Sequence, residues 1–244
     1  MNWVEPLIVK PLPPLMGQTM NTKTHVRTLL AGSIAVWLFA GLPLPAAGQM
    51  TRFDARSGSK MRIEGTSTIH DWQVESPLIM GFLEVGPGFP TEPGQAATPG
   101  KVEARAEAAV TVRSLRSIEK NGSLYSDGMD DKMYSMLKQP EYPKIVFRLN
   151  ELALKEAPRD KTAPYMFDAA GDLAIAGVTN KLSMPIEVLP LADKKLKITG
   201  TVPLKMSDFN ISPASILIGK TGDDVKIKFE WMLGEKKAPA AAPK

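Results

Sequence analysis

Through most of the chain, apolar and polar residues alternate with a period of two. Across residues 101–113, Val102, Ala104, Ala106, Ala108, Val110 and Val112 share one face. Lys101, Glu103, Arg105, Glu107, Thr111 and Arg113 take the other, with Ala109 the single lapse. Such alternation belongs to a strand with one dry and one wet face. The run predicts a strand of about 12 residues, roughly double the usual length. The pattern recurs at 61–65, 145–149, 173–175, 182–188, 196–206 and 225–231. Ala192, Asp193 and Lys194 read as a tight hairpin between two of these runs, and Gly222 with Asp223 as the turn before the last.

Two stretches depart from the pattern. In 127–139 (DGMDDKMYSMLKQ), Met129, Met133, Met136 and Leu137 recur at helical spacing ahead of Pro140. Asp127, Asp130 and Asp131 crowd the first turn, where the helix dipole favours anions. One short amphipathic helix is predicted, covering a barrel end or flank, with Met129, Met133, Tyr134 and Met136 packed beneath it. Its acidic residues lack the spaced loop ligands of a calcium site. Residues 86–100 (GPGFPTEPGQAATPG) are too rich in proline and glycine for a strand and read as a mobile hairpin loop.

Long amphipathic strands joined by short turns fit a sandwich or a barrel. Strand length and one apolar face per strand favour closure, which also removes exposed edges. The expected fold is all-β: an antiparallel β-barrel of about eight strands with one short helix. Pro185 and Pro203 fall inside strand patterns. Lacking a donor, they should mark bulges, strand ends or an open seam. The inward face is thinly furnished, with Ala104, Ala106 and Ala108 joined by Gly65, Gly177 and Gly200. Interiors pack to crystal-like density. Either large residues such as Phe147, Phe229 and Trp231 fill the middle as a dry core, or a guest does. No charge recurs on that face, so any guest must be apolar.

Composition narrows the setting. Lys23 and Arg27 precede an uncharged run, 28–44, which is short for a bilayer span of about 20 residues. Pro43 and Pro45 end it, and Ala46, Ala47 and Gly48 form a small-residue cleavage site. This order predicts a cleaved export signal over 1–48, which places the mature protein in the periplasm or outside the cell. Pro11, Pro13 and Pro14 sit oddly ahead of the basic residues, and Met20 makes the better start. One domain over 49–234 and a disordered tail over 235–244 complete the expected layout. The chain has no cysteine, which excludes disulfides, thiol nucleophiles, zinc–thiolate sites and a lipoprotein anchor. Beyond the leader, 27 of the 30 basic residues face 25 of the 26 acidic ones, spread evenly along the strands. The concentrated basic patch of a nucleic-acid partner is missing.

His70 is the one histidine outside the leader, so a multi-histidine metal site is excluded. Beside Asp71 it is a candidate general base, although neighbours on a strand point to opposite faces. Three readings of function stay open. One is a carrier of an apolar ligand; another is an enzyme, a hydrolase or isomerase using His70 on a small apolar substrate. The third is a dry-core structural or stress-response protein.

Several motifs occur in order: G-T-S-T-I-H-D-W at 65–72, S-L-R-S at 114–117, M-D-D-K-M at 129–133 and P-E-Y-P-K-I-V-F at 140–147. They continue with G-D-L-A-I-A-G-V-T-N-K-L-S-M-P at 171–185, M-S-D-F-N-I at 206–211 and G-D-D-V-K-I-K-F at 222–229. Taken together the ordered set resembles the YceI family of exported bacterial polyisoprenoid-binding proteins. The resemblance implies a lipocalin-like barrel, an isoprenoid lipid or quinone bound without catalysis, no other cofactor, and transient contact with a membrane surface. It favours a tunnel over a dry core and gives His70 a place at its mouth; Trp72, on the same face, either stacks on the ligand or, the favoured reading, packs. Alternation then nominates the liners: Ala104, Ala106, Ala108, Ile145, Phe147, Ile175, Met184, Ile186, Ile198, Val202, Ile227 and Phe229. The helix departs from the family pattern, with Asp130, Asp131, Lys132 and Met133 and no histidine where an Arg-Asp-x-His type run is usual, which leaves the head group open. Whether the protein stands alone or as a homodimer is not written in the pattern.

Overall fold

The computed structural model describes residues 49–213, 215–216 and 219–236; the export-signal stretch and residues 237–244 of the expected tail lie outside them. Thirteen strands and one helix follow in order. They are β1 (Thr51–Ala55), β2 (Lys60–Ser67), β3 (Trp72–Ser76), β4 (Met80–Val85), β5 (Gly100–Val102), β6 (Ala104–Thr111), β7 (Arg116–Ile118) and α1 (Asp127–Met136). After the helix come β8 (Lys144–Glu156), β9 (Tyr165–Ile175), β10 (Val178–Leu191), β11 (Lys195–Lys205), β12 (Ser215–Ile216) and β13 (Gly219–Glu235). Eight of them close a ring, β1-β4-β6-β8-β9-β10-β11-β13 and back to β1, with every pairing antiparallel. The fold is the expected barrel.

The remaining strands continue the wall past kinks. β13 pairs with β1 near its C-terminal end and with β2 along the rest; β2 then pairs with β3, and β3 with β7. β1 and β2 are two halves of one bent wall strand, as are β3 and β4, and β6 and β7. Buried serines hold the bends. Ser59 Oγ donates to Arg56 O at 3.0 Å and accepts from Met232 N at 3.0 Å. Ser76 and Ser114 share a hydrogen bond of 2.7 Å, tying two bends together. A kink frees backbone groups from the ladder, and a hydroxyl replaces the lost partner.

Several expectations need correction. The single strand over 101–113 is broken. Val102 faces Leu152 but Glu107 faces Arg148, so β5 and β6 hold one residue more than β8 between those rungs. This is a bulge at Glu103, and a 3₁₀ turn (Val112–Ser114) ends the run. Residues 86–100 are a packed cap, not a loose loop. Phe89 is 1% exposed and stacks on Phe167 at 5.4 Å, while Tyr165 Oη donates to Gln95 O at 2.5 Å. The prolines and glycines exclude a strand, but the one aromatic among them anchors the segment in the barrel end. The helix stops at Met136, because Lys138 takes a left-handed φ of 49°. Met129 faces solvent at 44% exposure, whereas Met133, Met136 and Leu137 pack against the core. β13 runs through Glu235, one residue into the stretch expected as tail.

Candidate functional site

Alternation sends one face of every wall strand inward, and the barrel does not fill. A cavity of ≈ 130 Å³ remains, lined by 23 side chains, every one of them Ala, Val, Leu, Ile, Met, Phe or Trp. A dry cavity of about 150 Å³ with a similar lining suffices to bind benzene. The free space therefore matches roughly one isoprene unit, five carbons against benzene's six. Both sequence-level alternatives hold in part. A Cβ on Gly200 would stand 2.5 Å from the Phe229 ring, and one on Gly171 2.6 Å from the Phe147 ring, so aromatics do lie on glycines. They still leave a void.

Ten of the twelve nominated liners meet in that lining: Ala106, Ala108, Ile145, Phe147, Met184, Ile186, Ile198, Val202, Ile227 and Phe229. Ala104 does not; it sits next to the Glu103 bulge, half-buried opposite Val85. Ile175 does not either; it is buried in the core at the last rung before the β9–β10 hairpin. His70 and Trp72 lie outside the cavity. His70 is exposed on the turn after β2, with Nδ1 2.9 Å from Asp71 O and its ring edge-on to Tyr125 at 6.1 Å. Trp72 lays its ring over Gly65, where a Cβ would come within 2.2 Å, and Nε1 donates to Thr66 O. Both residues serve the turn rather than the cavity.

Further liners complete the wall: Leu182 and Leu204, on the alternating face, and Trp231, a candidate filler of a dry core by sequence. Phe89, in the cap, was hidden by its Pro- and Gly-rich surroundings. No lining side chain is acidic, basic or nucleophilic, and among the described residues no three His, Cys, Asp or Glu side chains gather as a metal site.

The cavity abuts a gap in the wall. β10 and β11 pair from Leu191↔Lys195 to Ile186↔Gly200, and there the ladder stops. Above that rung β10 pairs only with β9, and β11 only with β13. Carrying the register onward would set Pro185 opposite Thr201, Ser183 opposite Pro203 and Lys181 opposite Lys205. Two prolines without donors and a like-charge pair face to face all oppose zipping. The lysines turn outward instead. Lys181 Nζ lies 3.3 Å from Asp172 on β9, and Lys205 Nζ 2.9 Å from Asp224 on β13. Asn150 first, then Lys181, holds the Asp172 carboxyl below its ordinary range; Asp224, pairing with Lys205, raises that ammonium's pKa. The open seam carries a polar vestibule of ≈ 370 Å³ lined by Asn180, Lys181, Asp208 and Phe209, which shares Leu173, Leu182 and Leu204 with the cavity. Asn180 Nδ2 donates to Asp208 O at 2.7 Å across its top.

A barrel with this lining, this order of motifs and this helix has relatives. The family model of the YceI-like domain matches residues 80–233. The chain belongs to the YceI-like family. β1, β2 and β3 precede the matched stretch yet complete the same barrel. Among solved structures, the YceI-like chain is similar to BcnA of Burkholderia cenocepacia, with 19% identity over 71% of this chain and 95% of that one, at a TM-score of 0.51. It is also similar to a polyisoprenoid binding domain of Saccharophagus degradans implicated in plant cell wall breakdown, with 12% identity over 77% and 100% of the two chains and a TM-score of 0.54. At these identities the likeness speaks for the fold. No curated protein matches the chain.

Proposed function

We propose that this YceI-like barrel is a non-catalytic carrier of an apolar, isoprenoid-type lipid chain, working in the periplasm or outside the cell after export. The observation that carries the reading is the cavity lining: a space walled only by apolar side chains, beside an unzipped stretch of wall. The Saccharophagus degradans relative's description as a polyisoprenoid binding domain supports it. One isoprene unit fits the space as it stands. A longer chain enters by displacing side chains, and Met61 and Met184, both flexible liners, yield most readily.

Energetics suit exchange. Five carbons moved from water into the barrel gain roughly 4 kcal/mol, at about 0.8 kcal/mol per CH₂. Against a bilayer the same transfer swaps one apolar medium for another, so the net change lies near zero. A carrier built this way loads and unloads by touching a membrane surface. Protein purified from a membrane-containing host and sprayed under non-denaturing conditions is expected to carry a lipid adduct. A bare polypeptide mass after mild handling counts against the reading. Ala106→Phe puts a ring into the cavity and should remove the adduct while far-ultraviolet circular dichroism stays native; a packed core would lose about 1–3 kcal/mol of stability instead.

A further inference from the structure

The exposed apolar side chains of the barrel are not spread evenly. Seven large ones stand exposed among the described residues, and two of them, Leu78 and Met80, lie on the wall at the β3–β4 bend. The other five, Ile69, Leu124, Tyr125, Met129 and Tyr142, all belong to segments at one end, the end where β10 and β11 stop pairing. Ile69 sits on the turn after β2. Leu124 and Tyr125 lie between β7 and α1, where Leu124 bridges to Ile118 and Tyr125 N donates to Ser117 O. The His70 ring meets Tyr125 edge-on at 6.1 Å, which joins these segments. Met129 follows in the first turn of α1, and Tyr142 lies against Gly177 in the β9–β10 hairpin, where a Cβ would come within 2.5 Å of its ring. At the same end β12 and β13 pair up to Ile216↔Gly219, and the sequence between those strands is Leu217 and Ile218, where turns favour Asn, Asp or Gly. The opposite end differs. Its connections read Ala192, Asp193 and Lys194, and Arg159, Asp160, Lys161 and Thr162, and none of the seven lies there. Apolar residues scattered singly over a surface are ordinary, but a set confined to one end is not.

We infer that this end of the barrel docks on a lipid bilayer, with Ile69, Leu124 and Tyr125 as its inserted tips. This deepens the carrier reading and rests on it, since it names the surface by which the carrier meets its membrane. The arrangement suits a bilayer better than a protein partner. The side chains stand on separate turns rather than along one groove or strand edge. Tyrosines favour the boundary between headgroups and hydrocarbon, and Leu and Ile favour the hydrocarbon beneath. The set also flanks the unzipped stretch of wall. Tyr142 adjoins the hairpin that leads into β10, and on the other side Thr68 N, next to Ile69, donates to Lys220 O on β13, the neighbour of β11. With this end on a bilayer, the unzipped stretch faces lipid rather than water. Charges beside the tips are of both signs, Glu119 with Lys120 and Asp71 with Lys220, so attachment needs no anionic lipid.

Flotation with phosphatidylcholine vesicles tests the inference on the protein purified after export, on the double variant Ile69→Glu, Leu124→Glu, and on Leu78→Glu. The wild-type protein is expected to float with the vesicles and to do so at low and high salt alike. The double variant should keep its circular dichroism and lose vesicle binding by about tenfold or more, since two apolar tips no longer insert. Leu78, 51% exposed against 54% for Ile69, lies away from the end, so Leu78→Glu should float as the wild type does. Transfer of bound lipid to the vesicles should slow in the double variant, while the lipid adduct in non-denaturing mass spectra stays. A wild-type protein that does not float, a double variant that floats unchanged, or an equal loss in Leu78→Glu overturns the docking end and leaves the carrier intact. A dimer in sedimentation equilibrium that the double variant dissolves assigns this end to a second copy and also overturns it. An adduct missing from all three proteins overturns the carrier reading itself, whatever the flotation shows.

Discussion

Residue by residue, the cavity owes its size to where glycine is used. Gly200 lies under the Phe229 ring and Gly171 under Phe147, each pair with less than 3 Å to spare for a Cβ. A ring over a cross-strand glycine keeps its area buried while drawing it back to the wall. Gly200→Ala tests this directly. The added carbon meets the far edge of the Phe229 ring, which swings inward because only the cavity is empty. The fold should survive with a loss of about 1 kcal/mol or less, since the displaced ring fills space rather than forcing backbone apart. Lipid uptake should fall several-fold, read by the adduct fraction in non-denaturing mass spectra. A strongly destabilised protein would mean that the ring has nowhere to go and that the cavity is smaller than it looks.

Strands and turns explain why the family motifs are spaced as they are. S-L-R-S and M-D-D-K-M meet. Arg116 Nε donates to Asp130 Oδ2 at 2.5 Å, Ser117 N donates to Oδ1 at 2.6 Å, and Tyr134 Oη reaches Leu115 O, so the pair fastens α1 to β7. The acidic first turn, read from sequence as dipole compensation, is mainly an arginine clasp; the partner lies 14 residues away, which periodicity does not register. M-S-D-F-N-I and G-D-D-V meet likewise, with Ser207 N and Oγ both donating to Asp223. Their contacting residues hold the barrel's rim and lie outside the cavity, which Ile227 and Phe229 reach further along the last motif. The barrel, its strands and most of the lining were legible because alternation marks each inward side chain. The cap was not, since one phenylalanine among prolines and glycines has no period. The seam was half legible: Pro185 and Pro203 flagged it, but only the register between their strands shows Lys181 and Lys205 converging. Pro185→Thr, Pro203→Thr and Lys181→Glu together remove all three obstacles. The ladder should then extend, with slower hydrogen exchange in 178–185 and 201–205. Lipid transfer to vesicles should slow several-fold at unchanged affinity. An unchanged transfer rate would show that the chain moves through another part of the wall.

At the scale of the whole barrel, the outer face is a web of exposed ion pairs and the inner face is free of charge, so acid acts on the outside alone. Four carboxylates sit below their ordinary pKa range. Ser207 holds Asp223 down, Asn150 holds Asp172, Thr162 holds Asp160, and Glu230 is held by Lys197 and then Lys60. Glu230 joins three strands, lying 2.9 Å from Lys197 on β11 and 3.0 Å from Lys60 on β2. In each case the folded state prefers the ionised form, so the stabilisation is present above the unfolded pKa of about 4 and drains away as pH falls through the lower folded value. All four groups are largely solvent-screened, so each contribution is small, but they share one sign. The urea midpoint should stay flat above about pH 5 and decline below about pH 4. Asp223→Asn should make that decline shallower, because its side chain no longer titrates. A midpoint that rises on acidification would contradict the sign for all four. Because no lining side chain titrates, lipid retention should follow the midpoint downward and show no transition of its own while the barrel stays folded. Release of lipid at a pH where the barrel remains intact would require a titrating group at the seam, and Asp172 would be the residue to replace.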